Sequence, residues 1–564
     1  MPRWLPVVAA WACVLATVAY SVTERWAVLG ASPFPLGVDG YFYPVQLRAL
    51  LQTGHLAYPA SPLAFYLLAP FAAATDPVTG AKVGAAVLCA LIAVPAYVVG
   101  VQLSRQRAVG VLVAVLAGRS AGSAYCSIEF VKNGIGLTVA VAALAAVLGC
   151  LRTPTRARVT GALVAVVAAV LTHKMAAAIV VAIAVPATLS ELAGRGILRG
   201  RRLLYAVSAL ALAAIAMVLL GAAAPERFLS PADLALVAGM VTRTPHFELP
   251  ALLVPRHMLG YEPLLCGLVT LVAAVGLLAE RQTRGGRIAG VLVAPVHRFG
   301  LVLAARLAPA SAAGDAASGD TAPPAPASGA PTSTSATRRT VRELHPLPSS
   351  GLRMAAWCIL GFGALIALPW LAVDDPDGLG FRIRVAAFVP MALATAIALR
   401  TWLVAVPAPI RATAVSVLVV LATLHTPGTR TEGRVLMHPA LISAVTALPS
   451  HVPPGAVVVI PERHLLFLAA WYTHLDLRLR PDGIPPARLV RALPLGGFIV
   501  AGSPLDVALI AARGEPSIPP PVGLHARHPN GFVLVTDATW HWLLDRVGRD
   551  DPRARRYWAA WPTR

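Results

Sequence analysis

An all-α polytopic membrane protein with a C-terminal extracytoplasmic α/β domain is the fold class the sequence predicts, and three observations predict it. Apolar residues make up 57% of the 564-residue chain and charged residues only 13%, whereas about 25% charged is usual for a soluble domain. Apolar runs recur from Trp4 to His425, and about 20 apolar residues are what one helix needs to cross the hydrocarbon core. From about Thr426 the pattern changes to short strand-like runs alternating with amphipathic stretches, as in α/β folds.

The runs predict eleven spans, near 4–23, 81–103, 108–125, 133–151, 159–172, 174–190, 203–222, 263–279, 352–373, 383–403 and 408–425. The first is long enough to span and reads as a retained helix rather than a cleaved signal. Arginines then fix the orientation, because positive charge stays on the cytoplasmic side. Arg105 and Arg107, Arg152, Arg156 and Arg158, then Arg195, Arg199, Arg201 and Arg202 fall in successive inner connections. Arg281, Arg284 and Arg287, and finally Arg400 and Arg411, continue the series. The N-terminus is therefore expected in the cytoplasm and the C-terminus outside, in a multi-pass protein of the cell membrane.

Four regions follow. Residues 1–287 form an N-terminal transmembrane module with long outer loops at 24–80 and 223–262. The first loop carries two helical stretches, Tyr41 to Gly54 and Pro62 to Thr75, and the second carries Pro231 to Met240 and Leu249 to Leu259. Residues 288–351 are cytoplasmic: an interfacial helix over Ile288 to Leu307, then an Ala/Pro/Ser/Thr/Gly-rich linker over Ala308 to Ser335. Residues 352–425 hold the last spans, and 426–564 the extracytoplasmic domain. In that domain strands are expected at 456–460, 497–501 and 531–536, and helices at 439–448, 462–472, 504–513 and 538–547.

The net charge of +21 does not point to nucleic acid, because the arginines are spread over short connections and form no basic stripe interleaved with aromatics. The six cysteines lie in or beside apolar runs, with neither a disulfide framework nor zinc spacing. The C-terminal domain shows no phosphate-loop glycine pattern and no catalytic motif; that it gates or selects an acceptor is a hypothesis from its placement.

Ionisable groups near the membrane are costly and so become the functional candidates. Only three of the 47 basic residues are lysine: Lys82, Lys132 and Lys174, all at outer helix ends. A lysine ammonium can hold a phosphate, or its stem can snorkel to lipid headgroups; Lys82 fits the second role best. Asp39, in Gly37-Val38-Asp39-Gly40-Tyr41-Phe42-Tyr43, can take a proton from an acceptor hydroxyl or simply cap the following helix. Glu129 and His173 fall in outer connections near Lys132 and Lys174. Arg382 and Arg384 start the tenth span from outside, against the charge rule. They can hold a lipid-linked phosphate or pair with Asp374, Asp375 and Asp377.

The run Asp39-Gly40-Tyr41-Phe42-Tyr43, followed by Gln46 to Gly54 and Pro59-Ala60-Ser61-Pro62, resembles the first outer loop of the GT-C superfamily of membrane glycosyltransferases. These include protein O-mannosyltransferases, oligosaccharyltransferase catalytic subunits and lipid A aminoarabinose transferases. The resemblance is best over residues 1–200. It implies a cell-envelope enzyme that moves a sugar from a polyprenyl-phosphate donor to an acceptor hydroxyl with inversion, with Asp39 as catalytic base. It also implies a metal or acceptor contact from Glu129 and a donor phosphate held by some of Lys132, Lys174, Arg382 and Arg384, with His173 a substrate-binding candidate by its placement beside them. The acceptor is a glycan, lipid or protein; membrane lipids are the other partners. The family's second acidic motif is often a paired Asp-x-Asp; here Glu129 stands alone, so no metal ligand set is assigned and divalent Mg or Mn stays open. A Trp-Trp-Asp-Tyr-Gly motif is absent, and Trp471-Tyr472-Thr473-His474 is a poor substitute. The alternatives are an envelope polysaccharide polymerase or ligase, a lipid or sugar transporter, and an inactive assembly subunit.

Overall fold

The computed structural model describes residues 4–37, 39–198, 200–225, 227–231, 233, 235, 238, 261–282, 349–367, 379–403, 406–425, 439–460, 463–479, 481–495 and 531–536. It is a helical membrane architecture with a small sheet. Among the described residues, five helices are long and apolar enough to cross a membrane: Leu5–Leu29, Pro77–Ser104, Val131–Arg152, Lys174–Gly194 and Glu262–Glu280. A bent pair, Arg107–Gly118 with Ala121–Ile128, makes a sixth if taken as one span.

The helices in chain order are α1 (Leu5–Leu29), α2 (Phe42–Thr53), α3 (Leu63–Ala74), α4 (Pro77–Ala90), α5 (Ala93–Ser104), α6 (Arg107–Gly118), α7 (Ala121–Ile128) and α8 (Val131–Arg152). Then come α9 (Arg156–Thr172), α10 (Lys174–Gly194), α11 (Arg201–Ala223), α12 (Glu262–Gln282) and α13 (Ser350–Ile366). The last of the bundle are α14 (Leu379–Val385), α15 (Phe388–Leu403) and α16 (Ala408–His425). Each predicted span falls on one or two of these helices. Four differ in detail: α1 runs on to Leu29, the second region starts at Pro77 and is divided between α4 and α5, and the third and tenth are each broken in two. The two first-loop helices are present as α2 and α3. The expected features at 249–259, 288–307 and 308–335 lie outside the described residues, and 231–240 is described only in part.

Local chemistry sets the helix ends. Gly54 adopts a left-handed conformation (φ 75°) and returns its N–H to the Leu50 carbonyl, stopping α2. Asp76 accepts from the N–H groups of Val78 and Thr79 at 2.8 and 3.0 Å, with Pro77 behind it, and so starts α4. The α3–α4 hairpin is tight because Gly80 sits directly on the Ala72 backbone, where a Cβ has no room.

The break between α6 and α7 has a specific cause. The two helices meet at 42°, and Ser120 caps α7 by accepting from Ser123 N–H at 2.9 Å. Arg25, from α1, is 1% exposed. Its Nη2 donates to the Gly118 carbonyl and to Ser123 Oγ, both at 2.8 Å, placing a cation at the carbonyl end of α6. Arg119 pairs with Glu24 at 3.1 Å and also reaches the Thr423 carbonyl. The Glu262 carboxyl group accepts from the Ala121 and Gly122 N–H groups at 2.5 and 2.9 Å, satisfying two of the N–H groups left open at the start of α7. At the opposite end of the bundle Arg400 pairs with Glu280, and Glu191 holds Arg195 and the Gly351 N–H.

Beyond α16 lie α17 (Pro439–His451), β1 (Val457–Val459), α18 (Arg463–Tyr472), β2 (Asp476–Arg478), β3 (Leu489–Leu495) and β4 (Gly531–Thr536). The sheet order is β2-β1-β3-β4, with β1 parallel to both neighbours and β4 antiparallel to β3. All three β1 residues are buried, as suits a strand with parallel partners on both sides. The strands expected at 456–460 and 531–536 are present; 497–501, 504–513 and 538–547 lie outside the described residues. Two strands were not expected. β2 is only three residues long, and β3 contains Pro494, a residue that argues against a paired strand.

Gly80→Val is expected to cost about 1–3 kcal/mol through overpacking at the α3–α4 crossing. Gly161→Ala on α9, where a Cβ meets nothing within 4 Å, serves as the neutral control. Thermal unfolding in detergent measures both, and an unchanged midpoint for Gly80→Val would refute the close crossing.

Candidate functional site

The loop between α1 and α2 is pinned by glycine and lysine. Gly37 has φ +81°, and a Cβ there would lie 2.6 Å from Glu129 Oε2 and 2.9 Å from the Ile128 carbonyl. Only glycine combines that backbone with that approach. Lys82 is buried and donates to the Ser32 carbonyl at 2.5 Å. It thus tethers the loop from α4 rather than reaching for lipid headgroups, a correction to the sequence expectation.

Asp39 sits two residues past Gly37 and is half-buried. Its backbone carbonyl accepts from Phe42 N–H at 2.9 Å, but the N-cap of α2 is Tyr41, with no side-chain capping bond. The helix-cap role therefore does not account for this carboxylate. One turn later, the Tyr43 hydroxyl accepts from Lys132 N–H at 3.1 Å. Burial and then the Asp39 carboxylate raise the Tyr43 phenol well above its ordinary pKa; the Lys132 hydrogen bond and Arg382 act the other way. Tyr43 is thus a neutral phenol that feels both Asp39 and Arg382.

The α7–α8 junction supplies the opposite wall. Glu129, buried, ends α7, and Phe130 and Lys132 open α8. The Lys132 ammonium stands 5.2 Å from the Phe42 ring centroid, and the Arg382 guanidinium 5.3 Å from that of Phe130. Such cation–π contacts fix long side chains that would otherwise wander. Tyr125, Phe130 and Phe381 pack edge to face with centroids 5.6–6.3 Å apart, which seats the start of α14 against this junction.

His173 joins α9 to α10. Its Nδ1 accepts from Met175 N–H at 3.1 Å, which requires the neutral ring with its proton on Nε2. Burial, then the positive charges of Lys132, Arg382 and Lys174, push its pKa down to about 3. Lys174 is already engaged: its Nζ lies 2.9 and 3.2 Å from the two carboxylate oxygens of Asp233. Burial opposes ionisation of Asp233, yet hydrogen bonds from Ser230 and Lys174 hold its pKa below the ordinary value.

The sequence candidates thus divide. Asp39, Glu129, Lys132, His173 and Arg382 gather at one end of the bundle, with Lys174 beside them bound to Asp233. Arg384 does not join them. It is buried while Arg382 is exposed, because residues two apart on a helix point about 200° apart. The two guanidinium groups therefore leave the helix in different directions. Asp374, Asp375 and Asp377 lie outside the described residues. Tyr43 and Asp233 were missed. Neither had a local signal: Asp39 precedes α2 in a turn, so no helical spacing relates it to Tyr43, and Asp233 lies far along the chain from its partner Lys174.

Among the described residues no three His, Cys, Asp or Glu side chains converge to hold a metal ion; the donors present do not make a metal site by themselves. No protein-family model matches the chain, and no curated protein matches it significantly.

His173 carries a pH signature. Its stabilising contribution is complete above about pH 6.5 and is lost as pH falls toward about 3, because only the unfolded chain then takes up the proton. His173→Gln is expected to flatten the loss of thermal stability over that interval. A slope identical to wild type would mean that His173 is not held neutral.

Proposed function

We propose that the chain is a GT-C-like membrane glycosyltransferase with eleven spans, its site and C-terminal domain outside the cytoplasm. It transfers a sugar from a polyprenyl-phosphate donor to an acceptor hydroxyl with inversion. The observation that carries this reading is one gathering of groups. The Asp39 loop, closed on Glu129 through Gly37, meets Lys132, His173 and Arg382 at one end of an apolar helical bundle. A carboxylate and fixed cations are the two kinds of group that such a transfer needs.

In the proposed reaction Asp39 accepts the proton of the acceptor hydroxyl as its oxygen attacks the anomeric carbon. The bond from that carbon to the phosphate oxygen breaks on the opposite face, and the electron pair leaves with polyprenyl phosphate. Arg382 and Lys132 stabilise the charge that grows there. Neutral His173 offers its Nε2–H as a donor and takes no part as an acid. Lys174 contributes as far as an incoming phosphate competes with Asp233.

Transfer of radiolabelled sugar from polyprenyl-phosphate donors, in membranes with matched protein levels, tests this. Asp39→Asn is expected to lower the rate at least about 10²-fold, the low end of general-base contributions. Arg382→Ala and Lys132→Ala are expected to raise the donor KM about tenfold or more, as loss of a hydrogen bond to a charged group does. Full activity in Asp39→Asn would remove the base. No transfer with any donor would favour a polysaccharide polymerase or a transporter.

A further inference from the structure

The helix that follows Asp39 is gripped by the C-terminal domain. Tyr41, the N-cap of α2, shares a hydrogen bond with Tyr472 through their hydroxyls, 3.0 Å apart. The Phe42 ring lies 4.7 Å from that of Phe467, centroid to centroid. One and a half turns on, Arg48 uses two nitrogens at once: Nη1 donates to the Trp471 carbonyl at 2.9 Å and Nη2 to the Ala470 carbonyl at 2.7 Å. Its guanidinium also stacks 4.5 Å from the centroid of the Trp471 ring.

Those two carbonyls belong to the last turn of α18 (Arg463–Tyr472), where carbonyls lack partners within the helix and the helix dipole is negative. A planar fork spans two such acceptors and stacks on an indole at the same time; a lysine ammonium does neither as well. Arg48 is thus built as the C-terminal cap of a helix in another domain. The apolar contacts continue the join: Tyr41, Phe42 and Leu47 share one buried cluster with Leu465, Phe467 and Leu468.

We infer that Arg48 is a positioning residue: by capping α18 it locks the C-terminal domain onto α2 and so holds the Asp39 loop in its place against Glu129. The domain is then a structural half of the site and not a separable appendage. The role in turnover rests on the proposed transferase activity; the mechanical coupling does not.

Two readouts on the full-length protein in detergent separate these. The first is amide hydrogen exchange across residues 37–46, which needs no activity. Arg48→Ala is expected to speed exchange there at least tenfold, Arg48→Lys to recover part of the protection, and Tyr472→Phe, which keeps the ring and loses one hydroxyl, to speed it less. The second is sugar transfer, where Arg48→Ala is expected to lower kcat about tenfold or more with donor KM within twofold of wild type, and Arg48→Lys to restore part of kcat. Unchanged exchange in Arg48→Ala overturns the inference, whatever the activity. Faster exchange with unchanged kcat overturns the positioning role. Faster exchange in a protein whose wild type transfers no sugar overturns the transferase reading and upholds the coupling.

Discussion

The break at Arg119–Ser120 is the constraint on which the candidate site depends. An unbroken helix from Arg107 would carry Glu129 and Lys132 straight past the first loop. The 42° bend instead turns α7 so that its end meets Gly37. Breaking a helix inside an apolar bundle exposes carbonyls on one side and N–H groups on the other, with little water to satisfy them. Arg25 answers the carbonyl side and Glu262 the N–H side. Each comes from a different helix, so the bend also ties α1 to α12.

With that wall in place, the electrostatics at His173 follow from burial first and crowding of like charge second. Burial, then the charges of Lys132, Arg382 and Lys174, keep the imidazole neutral. A neutral ring also satisfies the Met175 N–H, so geometry and charge select the same tautomer. Lys174 is stabilised differently, by Asp233, a residue from the segment after α11. The cations therefore stand in two settings. Lys132 and Arg382 lie on aromatic faces, whereas Lys174 is paired with a carboxylate.

Much of the fold was legible because bilayer physics writes it in bulk. Length and hydropathy found the helices, and α2 and α3 were visible between their turn residues. What the pattern could not supply were the breaks within spans, since Arg119-Ser120 and the Ala386-Ala387 gap carry neither proline nor a run of polar residues. Asp39, Glu129, Lys132 and His173 could each be picked out in the sequence as ionisable groups beside apolar runs. The different exposure of Arg382 and Arg384 was readable too, because two-residue spacing opposes side chains on a helix. Asp233 and Arg48 were out of reach for another reason: their partners lie 59 and 423 positions away along the chain. Nothing local marks such a pair.

The same long-range pairing explains why a loop bearing a costly carboxylate can be orderly at all. Loops of this length are ordinarily among the most mobile parts of a fold. Here Lys82 holds the segment from α4 at Ser32, α18 holds α2 through Arg48, and Gly37 packs closely against Glu129 at the α7–α8 junction. Ordering of this kind is set in folding rather than at each encounter with a ligand, which is what preorganisation requires of a group that must meet a substrate in one geometry. The carboxylate at Asp39 thus lies between anchored backbone on both sides in sequence, Ser32 held by Lys82 and α2 joined to α18 through Arg48.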